Sequence, residues 1–301
     1  MGKIEPMSRR AALIVNPHAG GGRAEAALPR VEARLGELGV AFHTERTRSL
    51  EHACELAAAA AEAGEVAVTL SGDGLIAAVA GTLRRLDGAV LGVLPGGRGN
   101  DFARVAGIPL DPEAACNVIA NGVERPLDVG EVAQDGGRTF VGIASLGFDS
   151  DANRIANEAP ARLGRLVYAY GALRALATWK PAAFVVDVDG ERHAFSGWSV
   201  AAANSKAYGG GMYLAPDAEL DDGALDVVLT SRTGKVRFLR VLPRVFKGTH
   251  VTEPTCTVLR GREVHVSADR GFTVYADGDP IGSLPVTIRA VPGALKVLLP
   301  R

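Results

Sequence analysis

Residues 66–83 read VAVTLSGDGLIAAVAGTL, and this stretch decides the fold of the first part of the chain. VAVTL (66–70) is a short, mostly apolar run rich in β-branched residues, which is typical of a strand buried on both faces. SGDGL (71–75) then forms a glycine-bearing turn that leads into a helix over 75–86. The stretch therefore predicts a strand, a tight turn and a helix in direct succession.

The same succession occurs twice more. AALIV (11–15) precedes NPHAGGGRA (16–24), and VLGVL (90–94) precedes PGGRGNDFAR (95–104), with a helix from about Asn100. Apolar spacing predicts the other elements of this part, namely a helix over 24–38, a strand around 40–44 and a helix over 50–63. Strands that alternate with helices of this length indicate a parallel sheet covered on both faces.

Parallel strands place the three glycine turns at one edge of the sheet, where ligands bind. Glycine lets the backbone approach a ligand closely, and the helix starts that follow offer N–H groups that suit phosphate. The chain contains neither a P-loop nor a Rossmann fingerprint. One such turn alone would be an ordinary strand-to-helix connection, but three together predict a phosphate-binding rim. Asp73 lies in this rim, and its carboxylate needs a metal ion or a hydroxyl as a partner.

From about residue 126 the pattern changes to frequent strand-like runs with few helices. Helical segments are predicted near 150–179 and 234–247. The strand-like runs are TFVGIASLG (139–147), AAFVVDVDG (182–190), WSVAAAN (198–204), ALDVVLT (224–230), EVHVSA (263–268) and FTVYADG (272–278). This part is therefore predicted to be a mostly antiparallel β domain.

Composition excludes several classes of protein. The 301 residues carry 33 Lys and Arg against 34 Asp and Glu, a net charge of −1, which argues against a nucleic-acid binder. Cys54, Cys116 and Cys256 form no C-x-x-C pair, which argues against a disulfide framework and a structural zinc site.

No targeting or membrane-spanning segment is expected. The start, MGKIEPMSRR, lacks the apolar core of a signal peptide, and Met7 is an alternative start. The most apolar run (162–179) carries three arginines. These features predict a cytoplasmic protein with only peripheral contact to the inner face of the membrane.

The motifs resemble the diacylglycerol kinase and sphingosine kinase superfamily, in its bacterial YegS-like branch. In the first part the resemblance rests on SGDGL, on LGVLPGGRGNDFARVAGIP (91–109) and on NPHAGGGRA. In the second part it rests on SLGFDSDA (145–152), NSKAYGGGMYLAPDAELDDGALDVVL (204–229) and YADGDPIG (275–282). The blocks follow one another in the family's order over nearly the whole chain.

This resemblance implies an α/β nucleotide-binding domain like that of phosphofructokinases and NAD kinases, followed by a β-sandwich domain. The implied boundaries are 1–126, with a strand at 286–301 returning to it, and 127–285. It also implies ATP-dependent phosphorylation of a lipid hydroxyl at a membrane surface, with diacylglycerol as the first choice of substrate. The oligomeric state stays open, with a homodimer among the options.

The resemblance assigns roles by position. ATP contacts fall on Asn16, Thr47, Ser71, Gly72, Asp73, Gly74, Leu75, Arg98, Gly99, Asn100 and Asp101. Asp73, Asp277 and Asp279 are the implied catalytic residues. Catalytic Mg²⁺ is implied at Asp73, Asp101 and Asp128, and a structural Mg²⁺ at Asp222 with the carbonyls of Glu219 and Ala224.

The chain departs from the family pattern in the nucleotide region and in the last motif. Ala77 and Ala78 replace a polar and an acidic residue, Arg98 replaces a threonine, and Asp279 replaces a glutamate. Arg98 can bind phosphate bidentately or be a solvated surface residue. Two alternatives to a lipid kinase therefore stay open: a kinase of a soluble substrate related to NAD kinases, and a nucleotide- or lipid-binding homologue with weakened catalysis.

Overall fold

The computed structural model describes residues 9–134, 136–159 and 167–301. The expectations for the start of the chain (residues 1–8) and for the first residues of the apolar run (162–166) lie outside these residues. The chain divides into two compact units, Met1–Pro126 with Leu295–Arg301, and Leu127–Ala294.

The first unit is an α/β fold. Its elements are β1 (Arg10–Val15), α1 (Arg23–Glu37), β2 (Ala41–Arg46), α2 (Leu50–Glu62), β3 (Val66–Ser71), α3 (Asp73–Leu83), β4 (Val90–Pro95), α4 (Asp101–Val105) and α5 (Pro112–Asn121). The strands pair in parallel in the order β4-β3-β1-β2. All six residues of β3 and of β4 are buried, as expected for strands covered by helices on both faces. The predicted parallel sheet is confirmed.

Local capping explains where two helices of this unit begin. Ser49 accepts a hydrogen bond from the His52 amide (3.1 Å) and starts α2. Asp111 accepts one from the Ala114 amide (2.9 Å), with Pro112 as the first helical residue of α5. Helix α5 has no counterpart among the predicted elements, although the Asp-Pro pair is a start signal.

The second unit is mostly antiparallel. Its elements are β5 (Val123–Val132), which begins in the first unit, β6 (Arg138–Phe140), β7 (Ile143–Gly147), α6 (Phe148–Glu158), α7 (Val167–Thr178), β8 (Ala182–Val188), β9 (Glu191–Ala203), β10 (Leu225–Ser231), α8 (Lys235–Val245), β11 (Cys256–Gly261), β12 (Glu263–Ala268), β13 (Thr273–Ala276), β14 (Asp279–Ser283) and β15 (Val286–Leu299). Within the unit, the strand pairings from β6 to β14 are antiparallel. The predicted β domain is confirmed.

The largest differences from the sequence-based expectation lie in β6 to β9. The predicted strand 139–147 is divided into β6 and β7. The predicted strand 182–190 ends at Val188, because Asp189 and Gly190 both have positive φ and form the turn into β9. As a result β9 starts at Glu191 rather than near residue 198.

The last strand, β15, serves both units in turn. Its first part pairs antiparallel with β12, with Ile288 opposite Val264. Its last part pairs parallel with β4, with Val297 opposite Leu91. The expected return to the first domain was placed at residues 286–301, whereas residues up to Ala294 group with the second unit because of the β12 pairing.

No helix within the described ranges is both long and apolar enough to span a bilayer.

Candidate functional site

The three glycine turns of the first unit touch one another. A Cβ added at Gly97 would lie 2.5 Å from the Gly72 Cα, and one added at Gly20 would lie 2.5 Å from the Gly96 carbonyl oxygen. The Gly96 amide also donates to the Ser71 carbonyl (2.7 Å). Only glycine permits these approaches, so the turns form one continuous surface at the carboxyl edge of the sheet.

Asn16 shapes the first turn directly after β1. Its side-chain oxygen accepts a hydrogen bond from the His18 amide (3.0 Å), and its backbone amide donates to the Leu70 carbonyl (3.2 Å). Thr47 follows β2 and is buried, with its amide donating to the Val15 carbonyl (2.8 Å). Both predicted residues therefore lie at the same strand ends as the glycine turns.

Asp73 is the carboxylate that these turns surround. It lies in the first turn of α3, and its Oδ1 accepts a hydrogen bond from the Phe102 amide (3.0 Å). Loss of solvation raises the pKa of Asp73, and backbone N–H groups of the next turn partly offset that rise. The SGDGL and GNDF segments are thus joined through this side chain.

The third turn has a left-handed residue at its centre. Asn100 has φ 53°, and its side-chain oxygen accepts a hydrogen bond from the Gly97 amide (2.8 Å). Asp101 follows it and is buried, with Oδ1 3.8 Å from Nε of Arg104. Arg98 lies between Gly97 and Asn100 in the sequence, and its side chain is exposed. The remaining predicted residues divide by burial: Ser71, Leu75 and Gly99 are buried, while Gly72 and Gly74 are half-buried.

In the second unit, Asp277 occupies the turn between β13 and β14. Its two carboxylate oxygens accept hydrogen bonds from the Val141 amide (2.8 Å) and the Gly142 amide (3.0 Å). A Cβ at Gly142 would lie 2.3 Å from Oδ1 of Asp277, so a larger residue there would displace this carboxylate oxygen. The Asp277 contact explains the gap between β6 and β7.

Asp279 begins β14, two residues after Asp277, and is exposed. Partial loss of solvation raises the pKa of Asp279, and Arg138 opposes that rise. The two carboxylates of the last motif therefore differ in their surroundings, since one is fixed by amides and the other is open.

Asp128 has both carboxylate oxygens engaged by the backbone of its own unit. It accepts hydrogen bonds from the Gly223 amide (2.6 Å) and the Gly293 amide (2.7 Å). Its own amide donates to the Leu220 carbonyl (2.7 Å). Asp128 thus joins β5 to the turn that contains Asp222, and the metal role implied for it stays a prediction.

The implied structural metal site lies in an acidic turn. Asp222 pairs with Arg260 and accepts a hydrogen bond from the Ala224 amide (3.0 Å). Desolvation raises the pKa of the nearby Asp226; Arg260 opposes the rise, and the negative charges of Asp222, Asp217 and Glu219 add to it. The turn therefore has excess negative charge, although Arg260 already compensates one carboxylate.

The carboxylate chemistry suits a hard divalent cation at either place. Among residues 9–134, 136–159 and 167–301, no group of three or more His, Cys, Asp or Glu side chains forms a ready-made metal cage. Mg²⁺ characteristically uses one or two carboxylates and completes its shell with waters and substrate phosphates. Asp73 and Asp101 fit that pattern in the first unit.

Two features of the second unit were not predicted from the sequence. One is a pocket of about 410 Å³ lined by Asp151, Arg154, Trp179, Arg270 and Tyr275, among others. The other is Asp149, whose Oδ2 is buried with no hydrogen-bond partner among the described residues, and loss of solvation raises its pKa to about 7. Neither has a sequence signal, because the pocket assembles distant segments and the burial of Asp149 depends on packing.

Comparison with known proteins identifies the chain. Residues 10–132 match the diacylglycerol kinase catalytic domain, and residues 142–299 match the YegS C-terminal NAD kinase beta sandwich-like domain. A protein of Mycobacterium tuberculosis (strain ATCC 25618 / H37Rv) named diacylglycerol kinase is 36% identical over 293 residues, which cover 96% of this chain and 94% of that protein.

Further relatives agree. A Pseudomonas aeruginosa protein named "probable lipid kinase YegS-like" is 34% identical over 76% of this chain and 74% of its own length. A crystal structure of a diacylglycerol kinase from Bacillus anthracis str. Sterne covers 98% of both chains with a TM-score of 0.75, and at 19% identity it supports the fold. The chain is thus a lipid kinase that belongs to the diacylglycerol kinase family, with the catalytic domain followed by the YegS-type β-sandwich domain.

Proposed function

We propose that the protein transfers the γ-phosphoryl group of ATP to the hydroxyl of a diacylglycerol-like lipid, with Mg²⁺. The observation that carries this proposal is the direct contact of three glycine turns around Asp73. Phosphoryl transfer depends mainly on positioning and charge neutralisation, and this edge offers backbone N–H groups, an exposed guanidinium and carboxylates for a metal.

The phosphates would lie against the first and third turns. Gly20, Gly21 and Gly22 all have positive φ, and apart from the chain neighbours no described residue comes within 4 Å of a Cβ built at Gly21 or Gly22. The backbone there is open to a ligand. Arg98 on the third turn is exposed and can pair with phosphate oxygens. Because the chain is nearly neutral overall, a positive charge placed at the site matters for binding an anion.

Asp73 and Asp101 would hold Mg²⁺ through carboxylate oxygens and waters. When bound, the cation neutralises charge on the phosphate oxygens and so favours transfer. The raised pKa of Asp73 reflects a negative charge with too little solvation, which a nearby cation would stabilise. Asp222, with the carbonyls of Glu219 and Ala224, would hold a second, structural Mg²⁺, which would relieve the excess negative charge around Asp226.

Asp277 would accept the proton of the lipid hydroxyl. Two backbone amides fix its carboxylate in one orientation, and an ionised carboxylate is an acceptor of hydrogen bonds. Asp279 would assist as the more exposed carboxylate of the same turn. A base must be held within hydrogen-bond reach of its proton, which favours the fixed Asp277 over the open Asp279.

The choice of lipid rests on the relatives. The M. tuberculosis and Bacillus subtilis relatives, 36% and 29% identical, are both named diacylglycerol kinase. The β-sandwich match over residues 142–299 is itself described as NAD kinase-like, so the preference for a lipid rests on the names of these relatives. A diacylglycerol-like acceptor is therefore preferred over NAD or another soluble alcohol.

The test is an acceptor panel with labelled ATP. Purified protein is incubated with mixed micelles of diacylglycerol, phosphatidylglycerol, a sphingoid base or an isoprenoid alcohol, and with NAD in solution. We expect label in the organic phase with diacylglycerol, dependence on Mg²⁺, and loss of label with Asp73→Asn. Label only in NAD would refute the lipid acceptor, and no label with any acceptor would favour the weakened homologue that Ala78 and Asp279 suggest.

A further inference from the structure

Helix α8 has an unusual exposed face. Val236, Leu239 and Phe246 are 64%, 40% and 53% exposed, and Pro243 between them is also exposed. Arg240 and Lys247 lie on the same side. At 100° per residue the four helical positions fall within about a quarter of the helix circumference, and Phe246 and Lys247 follow directly after the last residue of α8. We call these six residues the α8 stripe.

The opposite side of α8 is anchored in the second unit, so the stripe cannot turn inward. Phe238 stacks on Trp198 with ring centroids 4.4 Å apart and meets Phe148 at 4.8 Å. Val245 is buried, and Val241 and Leu242 are half-buried. A helix with one apolar side packed needs polar residues on the other, yet α8 exposes three large apolar side chains there.

Every charged residue in the segment that contains the stripe is positive. Residues 234–248, GKVRFLRVLPRVFKG, contain five cations and no acid. Glu253 pairs with Arg237 and Arg244, which flank the stripe on one side, and Lys235 donates to the Ala177 carbonyl (2.9 Å). Arg240 and Lys247 have no ion pair with any described residue.

We propose that the α8 stripe docks the enzyme on the surface of an anionic lipid bilayer. Apolar side chains interleaved with Arg and Lys suit the boundary between acyl chains and negatively charged headgroups, where the cations meet phosphate and the rings and aliphatic groups enter the hydrocarbon edge. The inference rests on the proposed function, because a kinase of a diacylglycerol-like lipid must reach a substrate embedded in a bilayer.

A second copy of the chain is a poorer occupant. A twofold contact through this face would place the same patch on both sides, so Arg240 and Lys247 would meet cations. The stripe holds no carboxylate to compensate them. An anionic bilayer supplies the negative charge that pairs with Arg240 and Lys247, whereas a second copy of the stripe would not.

The test measures binding of the full chain to vesicles without ATP. Protein is sedimented with vesicles of phosphatidylcholine alone or with added phosphatidylglycerol. We expect binding only to the anionic vesicles, weakened by salt. Arg240→Glu with Lys247→Glu should lower that affinity by at least about tenfold, and so should Leu239→Ser with Phe246→Ser, because the first pair removes charge attraction and the second removes apolar insertion.

Matched controls use exposed positions outside α8. Arg192→Glu with Lys296→Glu makes the same change in net charge, and Leu50→Ser with Val258→Ser removes two other exposed apolar side chains. Both control pairs should bind anionic vesicles like the wild type. The proposal would be overturned if the α8 variants and the control variants lost vesicle affinity equally. It would also be overturned if the wild type did not bind anionic vesicles. Variants of α8 that turn a dimer into a monomer without changing vesicle affinity would overturn it as well.

A second assay separates this inference from the proposed function. Turnover is measured on a short-chain diacylglycerol dissolved as monomers, where no docking is needed. All α8 variants should retain wild-type turnover there. Vesicle binding without any turnover would reject the proposed function alone, whereas turnover on the dissolved substrate without vesicle binding would reject the α8 stripe alone.

Discussion

Gly97→Ala tests whether the contact between the second and third glycine turns positions the nucleotide site. The new Cβ would lie 2.5 Å from the Gly72 Cα and 3.0 Å from Oδ1 of Asn100, whereas ordinary contacts begin at 3.4 Å. Gly97 has no positive φ, so alanine meets no backbone strain there and acts only through this clash.

The expected displacement follows from these distances. The two turns must separate by about 1 Å, and a shift of that size in a catalytic arrangement costs about a hundredfold in rate. Asp73 follows Gly72 directly and would move with it. Overpacking of this kind also lowers the free energy of unfolding by about 1–3 kcal/mol, so the protein should stay folded at assay temperature.

The assay compares kcat and the KM for ATP at saturating lipid. We expect kcat/KM for ATP to fall by about a hundredfold. Gly36→Ala is the matched control, because Gly36 is exposed within α1 and its Cβ would meet nothing within 4 Å. Wild-type kcat/KM in a folded Gly97→Ala protein would refute the idea that this contact sets the geometry of the site.

Four further predictions follow from single carboxylates and one arginine. Asp73→Asn should leave the fold intact and reduce phosphoryl transfer at least about a hundredfold, as measured with labelled ATP, because the substitution removes a metal ligand. Turnover close to that of the wild type would show that Asp73 has no catalytic role. Arg98→Ala should raise the KM for ATP about tenfold, and Arg98→Thr should recover part of the loss; an unchanged KM would make Arg98 a solvated surface residue. Mg²⁺ should raise the wild-type Tm, and Asp222→Ala should lower Tm more in Mg²⁺ than in EDTA; a wild type that never responds to Mg²⁺ contradicts this site. Asp149 has its pKa raised to about 7, so the native state keeps a proton that the unfolded state releases. The stability from Asp149 is therefore present at low pH and lost between about pH 4 and pH 7, by up to about 4 kcal/mol. Urea unfolding should show that slope in the wild type and in the control Asp151→Asn but not in Asp149→Asn, and parallel curves for wild type and Asp149→Asn would contradict it.

The sequence predicted the first unit well because its signals are local. Each strand of the parallel sheet is a short apolar run followed by a glycine turn, and the structure brings those turns into contact as expected. Helix α5 was missed although Asp111 and Pro112 carry a local start signal. The predictable part of the candidate site is therefore the part that consecutive residues build.

In the second unit, local sequence signals did not predict two features of the structure. The division of the predicted strand 139–147 follows from Asp277, more than a hundred residues later, whose carboxylate takes the amides of Val141 and Gly142. The exposed face of α8 was equally hidden, because periodicity reveals apolar residues on both sides of a helix but does not say which side is packed. Tertiary contacts decide both features.

The pairing of strand β15 has a consequence for how the protein folds while it is being synthesised. β4 pairs with β3 on one side and with Lys296 and Val297 of β15 on the other, so the ribosome makes this second partner only after the entire second unit. Until then the nascent first unit presents β4 as an unpaired edge, open to other extended chains. A product truncated at Pro126 would keep that edge open permanently and would be more exposed to pairing with other chains.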